Sequence, residues 1–127
     1  MADKKKILII EDEKNLADMY KLRFEQGDYQ VLAAYNGFPG VEMAIKEKPD
    51  LVLLDIIMPY KDGYQVIQDL KREPQTKDIP IIIFSNLGQK EEIEKGLKLG
   101  AVDYLVKTDL TPSEALEKVR AFFEKHS

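Results

Sequence analysis

Four places in the sequence carry side chains whose types and spacing could do chemistry. They are the acids Glu11-Asp12-Glu13, the carboxylate Asp55, the hydroxyl Ser85 and the amine Lys107. Each stands at the end of a short apolar run. If folding brings the acids together they repel, because two carboxylates ~4 Å apart cost about 4 kcal/mol at an effective dielectric near 20. A cation must then compensate them, and hard oxygen ligands select Mg²⁺, Mn²⁺ or Ca²⁺.

Mg²⁺ is the ion that suits these residues best. It keeps several waters and typically takes one or two carboxylates plus phosphate oxygens, which fits a site where phosphate arrives and leaves; Mn²⁺ could substitute. Beside such an ion, Asp55 can act as a nucleophile toward a phosphorylated donor and form an aspartyl phosphate. Lys107 would pair with one phosphoryl oxygen, and the Ser85 hydroxyl would hydrogen-bond another.

Taken singly, each of these residues has an ordinary structural explanation. Acids after a strand often only solubilise a loop, and an aspartate such as Asp55 often caps a helix or a turn. Ser85-Asn86 is typical of common turn chemistry, and Lys107 is one of many lysines. Only the joint placement after four apolar runs favours a shared chemical site, so the elements that position these residues decide the question.

Short apolar runs alternate five times with amphipathic stretches. The runs cover residues 7–10, 31–34, 51–54, 81–84 and 104–106. The first, third and fourth are apolar at every position, as is typical of central strands covered on both faces. The second and fifth are weaker and are expected nearer the sheet edges. The stretches between them carry apolar residues at helical spacing, and Thr111-Pro112-Ser113-Glu114 predicts the start of the last helix.

This alternation predicts an α/β fold: a flavodoxin-like (βα)5 doubly wound five-stranded parallel sheet, in strand order 2-1-3-4-5. In that order strands one and three are neighbours, so Asp12 and Asp55 should meet. Ligands in such folds bind beyond the carboxyl ends of the strands, and all four groups of candidate site residues lie there. At 127 residues, the chain is predicted to be a single domain covering residues 1–127.

Composition argues against several classes of function. With no cysteine, the chain offers no disulfide framework, thiolate zinc site or cysteine nucleophile. The net charge of −4 argues against direct nucleic-acid binding, because surfaces that track phosphates are usually basic. The longest apolar runs are far shorter than the ~20 residues that span a bilayer, and the lysine-rich start does not resemble a secretory signal. We therefore predict a cytoplasmic protein that binds no membrane.

Over residues 5–123 the sequence resembles the receiver domain of bacterial response regulators, the phosphoproteins of two-component systems. The motifs that carry the resemblance lie at residues 7–13, 49–59, 62–63, 80–85 and 100–107. No single motif is specific, but together they are. The resemblance implies the same (βα)5 fold and a signalling function based on phosphoryl transfer.

The resemblance also implies a role for each residue of the site. Asp55 would be the phosphoacceptor, and Mg²⁺ would be held by Glu11, Asp12, Asp55 and the backbone carbonyl of Ile57. The switch would comprise the Ser85 hydroxyl and the Tyr104 ring, and Lys107 would pair with the phosphoryl group. In an unphosphorylated structure, we expect Tyr104 to be at least partly exposed.

Partners follow from the same resemblance. The phosphoryl donor would be a sensor histidine kinase or a phosphotransfer protein of a phosphorelay. The fourth helix, fifth strand and fifth helix (residues 90–99, 102–106 and 112–125) would pass the result to an output protein or domain. By this resemblance the chain is not an enzyme but a signalling phosphoacceptor domain that assists its own phosphoryl transfer and dephosphorylation.

Three residues depart from the family's usual pattern. Glu11 stands where aspartate is more common, and its extra methylene still permits a water-mediated contact to the metal. Asn86 follows the switch hydroxyl where a small residue is usual, and its bulk could crowd the phosphate. Thr108 replaces a proline that usually follows a cis peptide; because a cis bond before a non-proline residue costs ~3–4 kcal/mol, we expect the Lys107–Thr108 bond to be trans.

Three other functions fit the predicted fold less well. A flavodoxin cradles its flavin phosphate after strand one, where Glu11-Asp12-Glu13 would repel it. An aspartate-nucleophile phosphatase needs a second aspartate two residues after the nucleophile, but that position is Ile57. A receiver-like interaction module that takes no phosphate remains open, since it would share the fold, and phosphate transfer from acetyl phosphate separates it from a working receiver.

Overall fold

The computed structural model describes residues 4–126, which form five strands and five helices in strict alternation. In chain order the elements are β1 (Lys6–Ile10), α1 (Lys14–Gln26), β2 (Gln30–Ala34), α2 (Gly37–Glu47), β3 (Leu51–Leu54), α3 (Gly63–Arg72), β4 (Ile81–Ser85), α4 (Lys90–Leu99), β5 (Asp103–Val106) and α5 (Pro112–Lys125). A single 3₁₀ turn, Lys107–Asp109, separates β5 from α5. No helix in the described range is long and apolar enough to cross a membrane.

All five strands pair in parallel, in the order β2-β1-β3-β4-β5. The predicted fold class and strand order are therefore confirmed. The register pairs Ile10 of β1 with Leu54 of β3, so the two strands end level with each other. The Asp55 amide continues this pairing by donating to the Ile10 carbonyl at 3.0 Å. The residues that follow β1 and β3 are thereby held at one edge of the sheet.

The sheet is buried on both faces, which explains its continuous apolar runs. One layer packs α1 and α5 against alternate strand residues such as Ile9 and Leu53. The other packs α2 and α3 against the intervening residues, such as Ile10 and Leu54. β3 and β4 are buried at every position, whereas β2 and β5 are partly exposed. The weaker apolar runs are thus the edge strands, as predicted.

Two helix starts are fixed by reciprocal capping. Thr111 caps α5 in a capping box with Glu114 and has Pro112 in the first turn, as the sequence predicts. Asp62 caps α3 in the same manner with Gln65. Each such cap contributes on the order of 1 kcal/mol, and the α3 cap also fixes where the loop after β3 ends.

Gly63 brings the start of α3 onto the backbone that follows β3. Its amide donates to the Ile56 carbonyl at 2.9 Å. A Cβ at this position would lie 2.7 Å from the Ile56 Cα and closer still to the Asp55 carbonyl. Only glycine permits this approach, so α3 begins directly beside Asp55.

Candidate functional site

Three carboxylates meet at the carboxyl edge of β1 and β3. One oxygen each of Glu11, Asp12 and Asp55 lies within 4.8 Å of the others. Glu11 and Asp55 are buried, and Asp12 is exposed. The cluster that strand order predicted is therefore present, and its oxygen donors are of the kind that hard divalent cations prefer.

Backbone amides orient the two buried carboxylates. One oxygen of Asp55, Oδ1, accepts from the amide of Ile56 at 2.8 Å. Glu11 Oε2 accepts from the Glu13 amide at 3.0 Å. Each carboxylate thus has one oxygen fixed by the chain, and the second oxygen is turned toward Lys107.

Lys107 supplies the cationic partner of the cluster. Its Nζ donates to Glu11 Oε1 and lies 3.6 Å from Asp55 Oδ2. The ammonium also lies 5.7 Å from the ring centroid of Phe84. The rings of Tyr20 and Phe84 pack edge to face, with their centroids 4.9 Å apart. A buried ammonium is stable only when it is paired, so these contacts hold Lys107 over the acids rather than in solvent.

The charges of this cluster do not balance. Three carboxylates face one ammonium, so two negative charges are left uncompensated when all four groups are ionised. Partial burial of the Asp12 carboxylate, and then its contact with Glu11, raise the pKa of Asp12 above its ordinary value. A divalent cation beside these oxygens would supply the missing charge, and the residues present therefore fit a bound Mg²⁺ or Mn²⁺.

The cleft above the acids has apolar as well as polar walls. Ile57, Asn86 and Leu16 line it together with the charged residues. Ile57 is 56% exposed although its side chain is apolar. The role predicted for its backbone carbonyl, as a metal ligand, stays a prediction.

Ser85 ends β4 and is fully buried. Its Oγ accepts from the amide of Leu87 at 3.2 Å. The carbonyl of the same Leu87 accepts a hydrogen bond from the Tyr104 hydroxyl. Ser85 and Tyr104 are therefore linked through the backbone of one residue in the loop that leads to α4.

We expected Tyr104 to be at least partly exposed, and this expectation is wrong. Tyr104 is only 9% exposed and points inward. Burial raises the pKa of its hydroxyl to about 12. The cause is the close approach of α4: a Cβ on Gly96 would lie 3.3 Å from Tyr104 Cδ2, so glycine at this position gives the ring room against the helix. The hydrogen bond to Leu87 then satisfies the buried hydroxyl.

Two features of the site were not predicted. The pairing of Lys107 with Glu11 joins residues 96 positions apart, and the sequence alone could not choose between Glu11 and Asp55 as its partner. The packing of the Phe84 and Tyr20 rings beside Lys107 was also not predicted, although the sequence shows Phe84 directly before Ser85 and Tyr20 in the helix that follows the acids. The peptide bonds between described residues are all trans, so the predicted trans bond between Lys107 and Thr108 is confirmed.

Comparison with known proteins agrees with this geometry. A family model described as the response regulator receiver domain matches residues 7–120. The DNA-binding dual master transcriptional regulator RpaA of Synechocystis is 37% identical over 94% of this chain and 49% of its own length. The probable transcriptional regulator ycf27 of Cyanophora paradoxa is 37% identical over 97% of the chain and 50% of its own length. The chain thus spans about half the length of these curated relatives.

A solved structure agrees over nearly its whole length. The two-component response regulator from Clostridium difficile superposes with a TM-score of 0.88 at 27% identity, covering 98% of this chain and 99% of the other. The parallel sheet, the acids at its carboxyl edge and the family match agree with one another. The chain therefore belongs to the response regulator receiver domain family.

Proposed function

We propose that this receiver domain accepts a phosphoryl group on Asp55 from the phosphohistidine of a sensor histidine kinase or phosphotransfer protein. The observation that carries the proposal is the charge imbalance around Asp55, which one divalent cation would correct. An Asp55 carboxylate oxygen attacks phosphorus while the N–P bond of the donor breaks. The electron pair of that bond returns to the imidazole nitrogen, and the phosphoryl group is left as an acyl phosphate on Asp55.

Glu11, Asp12, Asp55 and the backbone carbonyl of Ile57 are the residues that would hold Mg²⁺, for which Mn²⁺ could substitute. The ion would neutralise charge that builds up on the transferred oxygens. Lys107 already lies 3.6 Å from Asp55 Oδ2, so a small movement away from Glu11 lets its ammonium pair with a phosphoryl oxygen. The Ser85 hydroxyl donates to another of these oxygens.

Signal output follows from the contacts of Ser85. A hydroxyl that moves toward the phosphoryl group gives up the amide of Leu87, whose carbonyl holds the Tyr104 hydroxyl. The loop before α4 and the Tyr104 ring are therefore released or reset together. We propose that the α4–β5–α5 face carries this change to an output protein or domain; the chain spans about half the length of the transcriptional regulators that it resembles.

The proposed domain is a signalling unit that covers residues 1–127 and assists its own phosphorylation and dephosphorylation. It has no separate substrate that it releases as product, so it is not an enzyme in the usual sense. Direct contact with nucleic acid is left to the output partner, because the domain carries a net charge of −4.

Intact-mass measurement after incubation with Mg²⁺ and acetyl phosphate tests the proposal. We expect one added phosphoryl group in the wild type and none in Asp55→Asn. Asp18→Asn is the matched control, because it removes an exposed carboxylate of α1 and should label normally. Equal labelling of Asp55→Asn would assign the phosphoryl group elsewhere, and a wild type that takes no phosphate would favour an interaction module that is not phosphorylated.

A further inference from the structure

The loop between β3 and α3 contains a strained turn. The amide of Lys61 donates to the carbonyl of Pro59 at 2.7 Å, which closes a three-residue γ-turn around Tyr60. Tyr60 has a φ of +68°, a left-handed conformation that is strained for any residue other than glycine. Its side chain is 86% exposed, so contacts of the tyrosine ring do not impose this conformation.

The side chain of Lys61 ties the turn to the two helices beside it. Its Nζ donates to Asp69 of α3 and lies 4.8 Å from the ring centroid of Phe38 in α2. The Lys61 side chain is only 17% exposed, although the site described above does not use it. A cation held between a carboxylate and an aromatic face is restricted in both direction and depth.

The backbone of Lys61 is held as well. A Cβ on Gly37, the first residue of α2, would lie 2.8 Å from the Lys61 carbonyl oxygen. The turn therefore fills the space between the start of α2 and the side of α3. Movement of the turn would require both the Lys61–Asp69 contact and this backbone packing to open.

The two lysine–acid pairs along α1 do not join separate elements in this way. Lys14–Asp18 and Lys21–Glu25 connect residues one helical turn apart within α1. Such exposed pairs within one helix contribute little to stability and fix no loop. Lys61 instead joins the β3–α3 loop, α2 and α3, and this loop begins at Asp55 and carries Ile57.

We infer that Lys61 is a positioning residue: its contacts with Asp69 and Phe38 hold the γ-turn, and through it the Ile57 backbone and the Asp55 carboxylate, in the geometry that binds a divalent cation. The inference rests on the proposed metal site. Residues that orient metal ligands in this indirect way typically affect metal affinity 10–100-fold. Lys61→Met should therefore weaken Mg²⁺ binding about 10-fold, and Lys61→Arg, which keeps the charge, should restore most of it.

The sign of this effect separates positioning from simple electrostatics. Loss of a positive charge near an acidic site by itself favours cation binding, so charge alone predicts tighter binding in Lys61→Met. Lys21→Met is the matched control, because it removes the same charge from a pair within α1, and its Mg²⁺ affinity should not fall. Asp69→Asn keeps the lysine and should weaken Mg²⁺ binding in the same direction as Lys61→Met.

Two measurements test the inference: calorimetric titration with Mg²⁺ alone, and amide hydrogen exchange of residues 57–62 in metal-free protein. We expect weaker binding and faster exchange in Lys61→Met and Asp69→Asn, but not in Lys21→Met. If Lys61→Met and Asp69→Asn both leave Mg²⁺ affinity unchanged, or both leave the exchange rates unchanged, the inference is overturned and the proposed function is unaffected. A wild type that binds no Mg²⁺ overturns the proposed metal site itself, and the positioning role with it.

Discussion

At the scale of single residues, Glu11 is the acid that binds Lys107. Its carboxylate accepts from Lys107 and from the Glu13 amide, so it is the best satisfied acid of the cluster. Among the described residues, no ammonium lies within 4 Å of the Asp12 carboxylate, and partial burial, followed by its contact with Glu11, raises its pKa. Asp12 is thus the acid whose charge destabilises the metal-free fold, and it is also the most solvent-exposed of the three acids.

Replacing Asp12 by asparagine should stabilise the metal-free protein at neutral pH. A raised folded-state pKa contributes stability only below the ordinary value of 3.8, and that stability is lost as pH rises through the folded-state pKa. Above both values the ionised Asp12 destabilises the fold, and Asn removes that charge. In urea unfolding with a chelator present, the free energy of unfolding of Asp12→Asn should exceed that of wild type at pH 7. The difference should be smaller near pH 4.

Asp18 provides the opposite control for this experiment. Its contacts with Lys14 and Tyr35 lower its pKa, so its ionised form contributes stability that is present above the ordinary pKa and lost as pH falls. Asp18→Asn should therefore be neutral or slightly destabilising at pH 7. Equal or lower stability of Asp12→Asn relative to wild type would show that the acidic cluster places no strain on the fold.

The phosphoryl group should be long-lived, because the residues expected to flank the attacking water are apolar. In receivers these are the residues two positions after the phosphoacceptor and two after the switch hydroxyl, here Ile57 and Leu87. Neither side chain can orient water, and groups that act as acid or base typically contribute ~10²–10⁴-fold. Ile57→Asn should therefore lose its phosphoryl group faster than wild type in an intact-mass time course, and Leu87→Asn should act in the same direction. Ile57→Val is the control that keeps the site apolar, and a wild type as fast as Ile57→Asn would contradict the prediction.

At the scale of elements, α4 is the least buried helix beside the site. Gly96 is its one buried residue among those the structure describes. Ile93 and Leu99 pack against the core but are only partly buried. From α3, the Tyr64 hydroxyl donates to the Glu92 carbonyl at 3.2 Å, and Lys95 lies 4.2 Å from the Tyr64 ring centroid. An element held by so few contacts can shift at low cost, which suits the part of the molecule that we propose transmits the signal.

Gly96→Ala should destabilise the protein although alanine favours helices. The added Cβ would clash with the Ile83 side chain and crowd the Tyr104 ring. Overpacking of this kind costs typically 1–3 kcal/mol, which exceeds the helix propensity gain of about 1 kcal/mol. Thermal unfolding measures the change, with Glu94→Ala at an exposed α4 position as the control. Greater stability of Gly96→Ala than of wild type would show that α4 is not closely packed at this point.

Most elements were predictable because their signal is local. The apolar runs and the capping residues Thr111 and Glu114 act within a few positions, so strands and the start of α5 could be predicted directly. The position of Tyr104 could not, because it depends on Gly96 of α4 and on the Leu87 carbonyl, which tertiary packing brings to the ring. The hydrogen bond of Lys107 to Glu11, with Asp55 Oδ2 3.6 Å away, depends on tertiary packing in the same way.

At the scale of the whole molecule, strand order converts distant residues into one site. β1 and β3 are neighbours in the sheet although β2 lies between them in sequence, so Glu11 and Asp55 reach the same edge. The buried layers on both faces keep these strands from moving. Any change in the charge of the cluster must therefore appear either in the loops around it or in the free energy of unfolding of the whole domain.

Mg²⁺ should accordingly stabilise the whole domain. Binding to the folded protein alone adds ~1.4 kcal/mol to the free energy of unfolding at ten times the dissociation constant, which for a domain of this size raises the Tm by roughly 5 °C. Thermal melts with and without Mg²⁺ measure this shift. Asp12→Ala should abolish most of it, because it removes the acid most open to the ion, whereas Asp18→Ala in α1 should retain it. A wild-type Tm indifferent to Mg²⁺ would mean that Lys107 alone suffices to balance the acids.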